Sequence, residues 1–368
     1  MVPVGRRNLF AEKTRLLISV GGVAFSVLLV LILLGLYQGF GEAASSYVNS
    51  IDADLWVSQD GSSDMFHGIS LMPNDVRGRL ESLPEVENVY RLLGRQVAFD
   101  IGGKEAHTYI MGYDTGSDVG GPIQIVQGAS EPKRGQIIID RVFAQSENLK
   151  IGDRLTIVGR DFEVAGISAQ GNMMLYQYSF IAQSEAEELL KMSGFSNFFM
   201  VKLKEPAEKD NVIQEISRIP GIQAVSKPEF ARINSEMVND AFLPIVGVLV
   251  IIGFGVGVTV IGLTIYTATV EKSREYGVLK AVGASNWQLY KIIFEQAIIS
   301  GALGYVIGAI LTWVVIFFAE GRVPSFVVSI EPSAMIGVFG MSILMSLAAS
   351  YIPIRRIVRI DPAMVFKS

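Results

Sequence analysis

Four long apolar runs separated by charged segments dominate the hydrophobic and polar pattern of the chain. They cover residues 16–40, 242–270, 291–318 and 333–353. At about 1.5 Å of rise per residue, each can cross a hydrocarbon core of about 30 Å as a helix. Glu295 interrupts the third run near its start, and Pro353 closes the fourth. The first run has basic residues before it and Ala43-Ala44 after it, the flanks of a secretory leader. Its apolar length exceeds the roughly 7–15 residues of a leader's core, so we expect a retained helix.

Lys and Arg in the short connecting segments predict the orientation. Four precede the first run (Arg6, Arg7, Lys13, Arg15), and four lie in or beside the second connection (Lys272, Arg274, Lys280, Lys291). Four more follow the last run (Arg355, Arg356, Arg359, Lys367), whereas the connection at 319–332 holds Arg322 alone. Segments 1–15, 271–290 and 354–368 are therefore expected on the cytoplasmic side of the membrane. Residues 41–241 and the short loop 319–332 are expected outside.

Within 41–241 the pattern shortens to the two-residue alternation of strands, at 54–58, 97–101, 106–111, 137–140, 154–158, 162–167, 178–182 and 198–202. Gly102-Gly103 reads as a type I′ hairpin turn, and Gly159-Arg160-Asp161 as a second tight turn. Residues 76–83 followed by Pro84 and a strand are echoed by 212–219 followed by Pro220 and a strand. Two helix–proline–strand units flanking a β-rich insert at 104–183 predict a pseudo-repeated α+β domain with a second lobe. The expected fold class is thus an α-helical membrane protein with four transmembrane helices plus an α+β extracytoplasmic domain, porter-like in its pseudo-repeat.

Composition agrees: 50% of the residues are hydrophobic, 18% are charged and the mean hydropathy is +0.40. The overall charge of −5 conceals 18 Lys and Arg against 29 Asp and Glu within 41–241. So acidic a block argues against nucleic-acid binding. With no cysteine and only His67 and His107, thiolate chemistry and cysteine- or histidine-rich metal sites are not expected. No P-loop, G-x-S-x-G or H-E-x-x-H pattern occurs, so no catalytic residue, resident cofactor or metal is expected.

Small residues one turn apart recur inside the apolar runs: Gly35 and Gly39, Gly253 and Gly257, Gly304 and Gly308, and Ser342, Ser346 and Ser350. Such stripes allow close helix approach in lipid, and we expect them to support association between chains. Glu295 lies four residues past Lys291, a spacing that fits an intrahelical ion pair near the interface. After the second run, alternating charges at 271–280 enclose Tyr276, Val278, Leu279 and Val282. Gly283 then breaks the pattern, and Ser285 with Gln288 forms a capping box for the next helix. An amphipathic helix in this place either lies on lipid or enters a groove on a partner.

The run Arg274-Glu-Tyr-Gly-Val-Leu-Lys-Ala-Val-Gly-Ala-Ser resembles the signature of the FtsX-like/MacB-type (type VII) ABC transporter permease family. Glu295, Gly304 and Gly308, and Arg355-Arg356 followed by Asp361-Pro362-Ala363-Met364, are similar to further features of that family. Residues 149–157 and 162–167 resemble its MacB-like periplasmic core domain. Asn8-Leu and residues 13–17 resemble its entry to the first span and lean toward the DevC-type glycolipid-exporter branch.

The resemblance implies a homodimer with a cytoplasmic ABC ATPase partner of the MacB, LolD or FtsE kind, which would hold the ATP and Mg. It implies docking of that ATPase on the helix at 271–290, through Arg274, Glu275, Gly277, Leu279, Lys280, Ala281, Gly283 and Ala284. It also implies motion passed to the external domain, and lateral substrate entry from membrane lipid beside Phe25, Leu29, Leu36, Phe254 and Val258.

Two functions are then expected. One is an exporter permease acting by mechanotransmission on a hydrophobic, lipidic or peptide substrate. The other is a non-transporting FtsX-like regulator of an extracellular cell-wall hydrolase or sensor. A periplasmic adaptor or extracellular effector fits either. The apolar runs at 65–66, 69–72 and 173–178 are expected to form an apolar lip, a partner dock or ordinary packing.

Overall fold

The computed structural model describes residues 12–62, 64–65, 70–173, 176–320, 322–323 and 326–358. Arg6, Arg7, Asn8, His67, Arg359, Lys367 and the run Asp361-Pro362-Ala363-Met364 lie outside the described residues. In chain order come helix α1 (Lys13–Ser50), strands β1 (Leu55–Gln59) and β2 (Met72–Pro73), helix α2 (Asp75–Glu81), and strands β3 (Val86–Ile101), β4 (Lys104–Tyr113), β5 (Gln124–Gly128) and β6 (Gln136–Asp140). Helix α3 (Arg141–Ser146) precedes β7 (Arg154–Ile157), β8 (Arg160–Ala169), β9 (Asn172–Met173) and β10 (Tyr176–Ala182). Helix α4 (Gln183–Leu189), β11 (Phe195–Ser196), β12 (Phe198–Leu203), α5 (Lys209–Ile216) and β13 (Ile222–Ser226) follow. The chain ends in α6 (Lys227–Glu271), α7 (Ser273–Ala281), α8 (Asn286–Glu320) and α9 (Pro332–Val358).

Two compact units result, one from the chain up to Gly39, Phe242–Arg322 and the part from Val328, the other from Phe40–Ala241 with Val323–Val327. In the first, α1, α6, α8 and α9 are long and apolar enough to cross a membrane. Spanning helices satisfy every backbone group internally, which lipid demands. Their contacts are backbone-close. A Cβ at Gly22 would lie 2.3 Å from a Val260 methyl, one at Gly257 2.5 Å from Met345 Sδ, and one at Gly304 2.4 Å from Val23 Cβ. At Gly308 it would lie 2.7 Å from the Ala24 carbonyl oxygen, and at Gly301 2.1 Å from Ser346 Oγ.

Ser342, Ser346 and Ser350 are fully buried, and Ser346 Oγ returns its proton to the Ser342 carbonyl at 2.9 Å. These glycines and serines therefore close the bundle within one chain. The stripes at Gly253–Gly257, Gly304–Gly308 and Ser342–Ser350, expected to support a bundle that associates between chains, thus make close contacts inside one chain. Their spacing is the same in either use, so sequence alone could not separate them.

In the second unit, β1–α2–β3 and β12–α5–β13 form a split βαβ repeat whose strands lie in the order β13-β1-β12-β3, every neighbour antiparallel. The helix–proline–strand echo is this repeat. Alternation sorts its side chains: Leu55, Val57, Phe199 and Val201 face Val76, Leu80, Val212 and Ile216 of the two helices. Trp56, Phe198 and Met200 turn to the opposite face. There Trp56 stacks on Phe230 of α6 at 4.6 Å between ring centroids, and Tyr47 of α1 meets Tyr178 at 5.3 Å.

The β-rich lobe is not a separate sheet. The 16-residue β3 continues into it and pairs with β4 as far as Ile101 and Lys104, across the Gly102-Gly103 turn. Its core draws on Leu93, Val97 and Phe99 of β3 and on Ala186 and Leu189 of α4, beyond 104–183 at both ends. Arg91 of β3 donates to Asp114 at 2.6 Å and to Glu187 at 3.1 Å, joining β3, β4 and α4. The second turn is Val158-Gly159, both at positive φ, with Arg160 already paired to Ile157. Of the apolar runs, Met65, Met72 and Tyr178 are buried core residues, while Phe66, Ile69, Met174 and Leu175 lie outside the described residues.

Replacing Gly308 by Leu should overpack the α1–α8 contact at a cost of about 1–3 kcal/mol. We expect a lower unfolding temperature in detergent for that variant. Gly247→Ala, with no neighbour within 4 Å, should leave it unchanged or raise it. Equal behaviour of the two variants would contradict the contact.

Candidate functional site

The chain leaves α6 at Glu271 and enters α7 at Ser273, with Lys272 the single residue between them. Lys272 is bonded to both helices: its N donates to the Ala268 carbonyl at 3.1 Å, and its carbonyl accepts from Tyr276 N at 3.0 Å. At its far end α7 stops in a Schellman turn: Ala284 N donates to the Leu279 carbonyl at 2.9 Å and Gly283 N to that of Lys280 at 3.1 Å. Gly283 sits at φ +99° with open space around its Cβ position, so backbone conformation alone demands glycine there. One residue later the capping box forms. Ser285 N donates to Gln288 Oε1 at 2.9 Å, and Gln288 N to Ser285 Oγ at 3.3 Å. Local chemistry thus fixes the C-terminal end of the nine-residue α7 and the start of α8.

The two faces of α7 differ. Tyr276 and Gly277 are buried, and Leu279 and Ala284 pack against the bundle core that holds Leu289 and Ile293. Burial, with Glu275 and Glu12 adding to it, pushes the Tyr276 hydroxyl up to about 12. Outward lie Arg274, Glu275, Ala281 and Gly283, together with Val278, Val282 at 84% exposure and Trp287 at 69%. Lys280 is half-buried. Of the eight residues taken from the family signature, four therefore face outward and Gly277 faces fully inward. The exposed valines and Trp287 were missing from that set. The roughly 100° advance per residue puts positions 274, 278, 281 and 282 on one side, which is the signal that finds them.

Beside the joint, Arg15 of α1 donates to Glu12 and to Glu271, and Lys272 Nζ lies 2.9 Å from Glu12 Oε1. Burial raises the Glu12 carboxyl, but Lys272 and Arg15 outweigh it and hold the group below the usual carboxylate range. A cleft lined by Ser19, Thr264, Ala268, Tyr276 and Gln296 opens next to these charges. Sequence reasoning missed the cluster because Arg15 and Glu271 are 256 residues apart.

Lys291 is exposed and Glu295 half-buried one turn further along α8. The five residues expected beside a lateral cleft do not form one lining. Phe25 is 58% exposed, while Phe254 and Val258 pack on the bundle core and Leu29 lies against Gly253. Leu36 is half-buried. Spans α1 and α6 meet directly at Gly22 with Val260, Ser26 with Gly257, and Val30 with Gly253. At those levels no cleft separates them within one chain. Among the described residues, no group of three or more His, Cys, Asp and Glu is placed to hold a metal ion. His107 is half exposed, 4.0 Å from Glu105.

Residues 16–219 match the MacB-like periplasmic core domain, and residues 239–362 match the FtsX-like permease C-terminal domain. Over 363 residues the chain is 23% identical to an uncharacterized ABC transporter permease of Mycobacterium tuberculosis, covering 98% of this chain and 97% of that protein. It is 23% identical over 250 residues to the macrolide export ATP-binding/permease protein MacB of Photorhabdus laumondii, covering 62% of this chain and 38% of that one. Among solved structures, the periplasmic region of MacB from Actinobacillus actinomycetemcomitans is similar over 50% of this chain and 92% of that one, at 10% identity and a TM-score of 0.39.

Placing a β-branched residue at Gly283 forces a left-handed conformation that costs about 1–2 kcal/mol. Gly283→Val should therefore raise hydrogen exchange of the α7 amides roughly tenfold, whereas Gly283→Asn, which tolerates that region, should change it little. Equal exchange in the two variants would remove the conformational argument.

Proposed function

The chain belongs to the MacB/FtsX-type ABC transporter permeases, and we propose that it is the membrane subunit of an ATP-driven exporter working by mechanotransmission. In this reading a separate cytoplasmic ABC ATPase binds ATP and Mg and grips α7. Its closure tilts α7, and the tilt passes along α6 toward the outer side of the membrane. There the extracytoplasmic domain acts on a hydrophobic, lipidic or peptide substrate. The observation that carries the reading is the outward face of α7. It presents Val278, Ala281 and Val282 between Arg274 and Trp287, on a helix closed at its C-terminal end by the Gly283 turn.

Exposed aliphatic side chains ringed by charge suit a groove on a protein partner, where a few desolvated anchors carry most of the binding energy. The shortness of the joint supports transmission, since Lys272 is the single residue between the two helices and is hydrogen-bonded to both. The absence of a P-loop from the sequence supports leaving hydrolysis to the partner. The distribution of Lys and Arg supports cytoplasmic termini. Homodimerisation is supported by α6, which leaves Val248, Ile251, Ile252 and Val256 exposed and has open space at Gly247 and Gly255.

Val282→Asp should weaken co-purification of the ATPase by on the order of thirtyfold, the effect of losing about 2 kcal/mol at an anchor, while membrane insertion is unchanged. Arg274→Glu should act in the same direction. The purified chain alone should show no ATP hydrolysis. Full ATPase recovery with Val282→Asp, or robust hydrolysis by the isolated chain, would refute the assignment.

A further inference from the structure

Three ion pairs link Glu271, Arg15, Glu12 and Lys272 in turn, and the peptide bond between Glu271 and Lys272 closes a ring at the α6–α7 joint. Arg15 donates to Glu12 and to Glu271, and Lys272 completes the circuit to Glu12 at 2.9 Å. Glu271 is the last residue of α6, and Lys272 is the single residue before α7. The ring therefore holds the start of α1 at the point where the two helices meet. The Glu12, Arg15 and Lys272 part is shielded, with side chains 30%, 23% and 17% exposed, while Glu271 is 64% exposed. Shielded pairs are screened less by salt than those fully in water.

Close packing does not do the same work at this level. A cleft opens here, walled on one side by Glu12, Arg15 and Lys272 and otherwise by Ser19 of α1, Thr264 and Ala268 of α6, Tyr276 of α7 and Gln296 of α8. Further along the helices, α1 and α6 are in glycine contact from Gly22 with Val260 onward. The charged ring is thus what ties α1 to the joint at the end where α7 departs.

We propose that Glu12, Arg15, Glu271 and Lys272 form a clasp that makes the start of α1 move with α7, so that force applied to α7 enters two spans instead of one. The proposal rests on the coupling reading above, and these four are positioning residues that touch neither nucleotide nor substrate. Without the clasp, displacement of α7 pulls on α6 alone and α1 lags at the cleft.

The chain has no cysteine, so Thr14→Cys on α1 and Thr267→Cys on α6, both exposed, give one spin-label pair per chain, and dilution with unlabelled chain leaves one labelled protomer per assembly. Distances would be measured on the full-length chain in nanodiscs, first alone and then with its ATPase, without nucleotide and with ATP plus vanadate. In the parent we expect one narrow distance distribution, the same in every state. Lys272→Met should broaden it already in the chain alone and let it shift with nucleotide, and Lys272→Arg should restore the narrow form. A parental distribution in Lys272→Met, or a nucleotide-dependent spacing in the parent, overturns the clasp. Val282→Asp keeps all four clasp residues and should retain the narrow distribution. Failure of the coupling reading is read separately, on ATPase co-purification.

Discussion

Close backbone approach at a few glycines is the constraint from which the rest follows. Inside lipid, burying apolar surface between helices gains nothing over burying it in acyl chains, so contact must come from shape. Gly22, Gly257, Gly304 and Gly308 supply it, and α1 takes part in all four contacts through Gly22, Ser26, Val23, Ala24 and Val27. Within its most apolar stretch 44% of α1 is buried in the chain, against 17% for α6. The first span is therefore the hub of the bundle, and the second keeps apolar surface to spare. A hub helix clasped at its start to the α6–α7 joint is well placed to pass on a movement of that joint.

The domain with the repeat was largely legible in the sequence because its strands are half-buried and alternate. Leu55 and Val57 on one face, with Trp56 on the other, are the expected period. The helix–proline–strand echo marked both halves of the split βαβ repeat. Strand β5 escaped notice because it is an edge strand with mostly exposed residues, leaving no alternation to read. The limits of the second lobe were drawn too narrowly for a related reason. Leu93, Val97 and Phe99 lie on the same strand as the first repeat, and local pattern does not reveal that one strand serves two cores.

At the joint, local chemistry was readable and long-range chemistry was not. The break at Gly283 and the Ser285–Gln288 box follow from residue types at fixed offsets, and both form. Family resemblance marked the segment but did not distinguish Gly277, which faces the bundle, from Val282, which faces outward. The helical period does. Glu12 and Arg15 are a local pair at i,i+3 spacing, but nothing in that spacing points to Glu271 and Lys272, which come from the far side of the sequence.

The ends of two spanning helices also complete the core around Trp56. Ala44, Tyr47 and Val48 of α1 and Phe230 and Ala231 of α6 are buried in it. Any attempt to excise the β-rich part as a soluble fragment must therefore carry these helical stubs along. A cut made where the strands begin and end would strip the stacked ring from Trp56 and leave an oily face that invites aggregation.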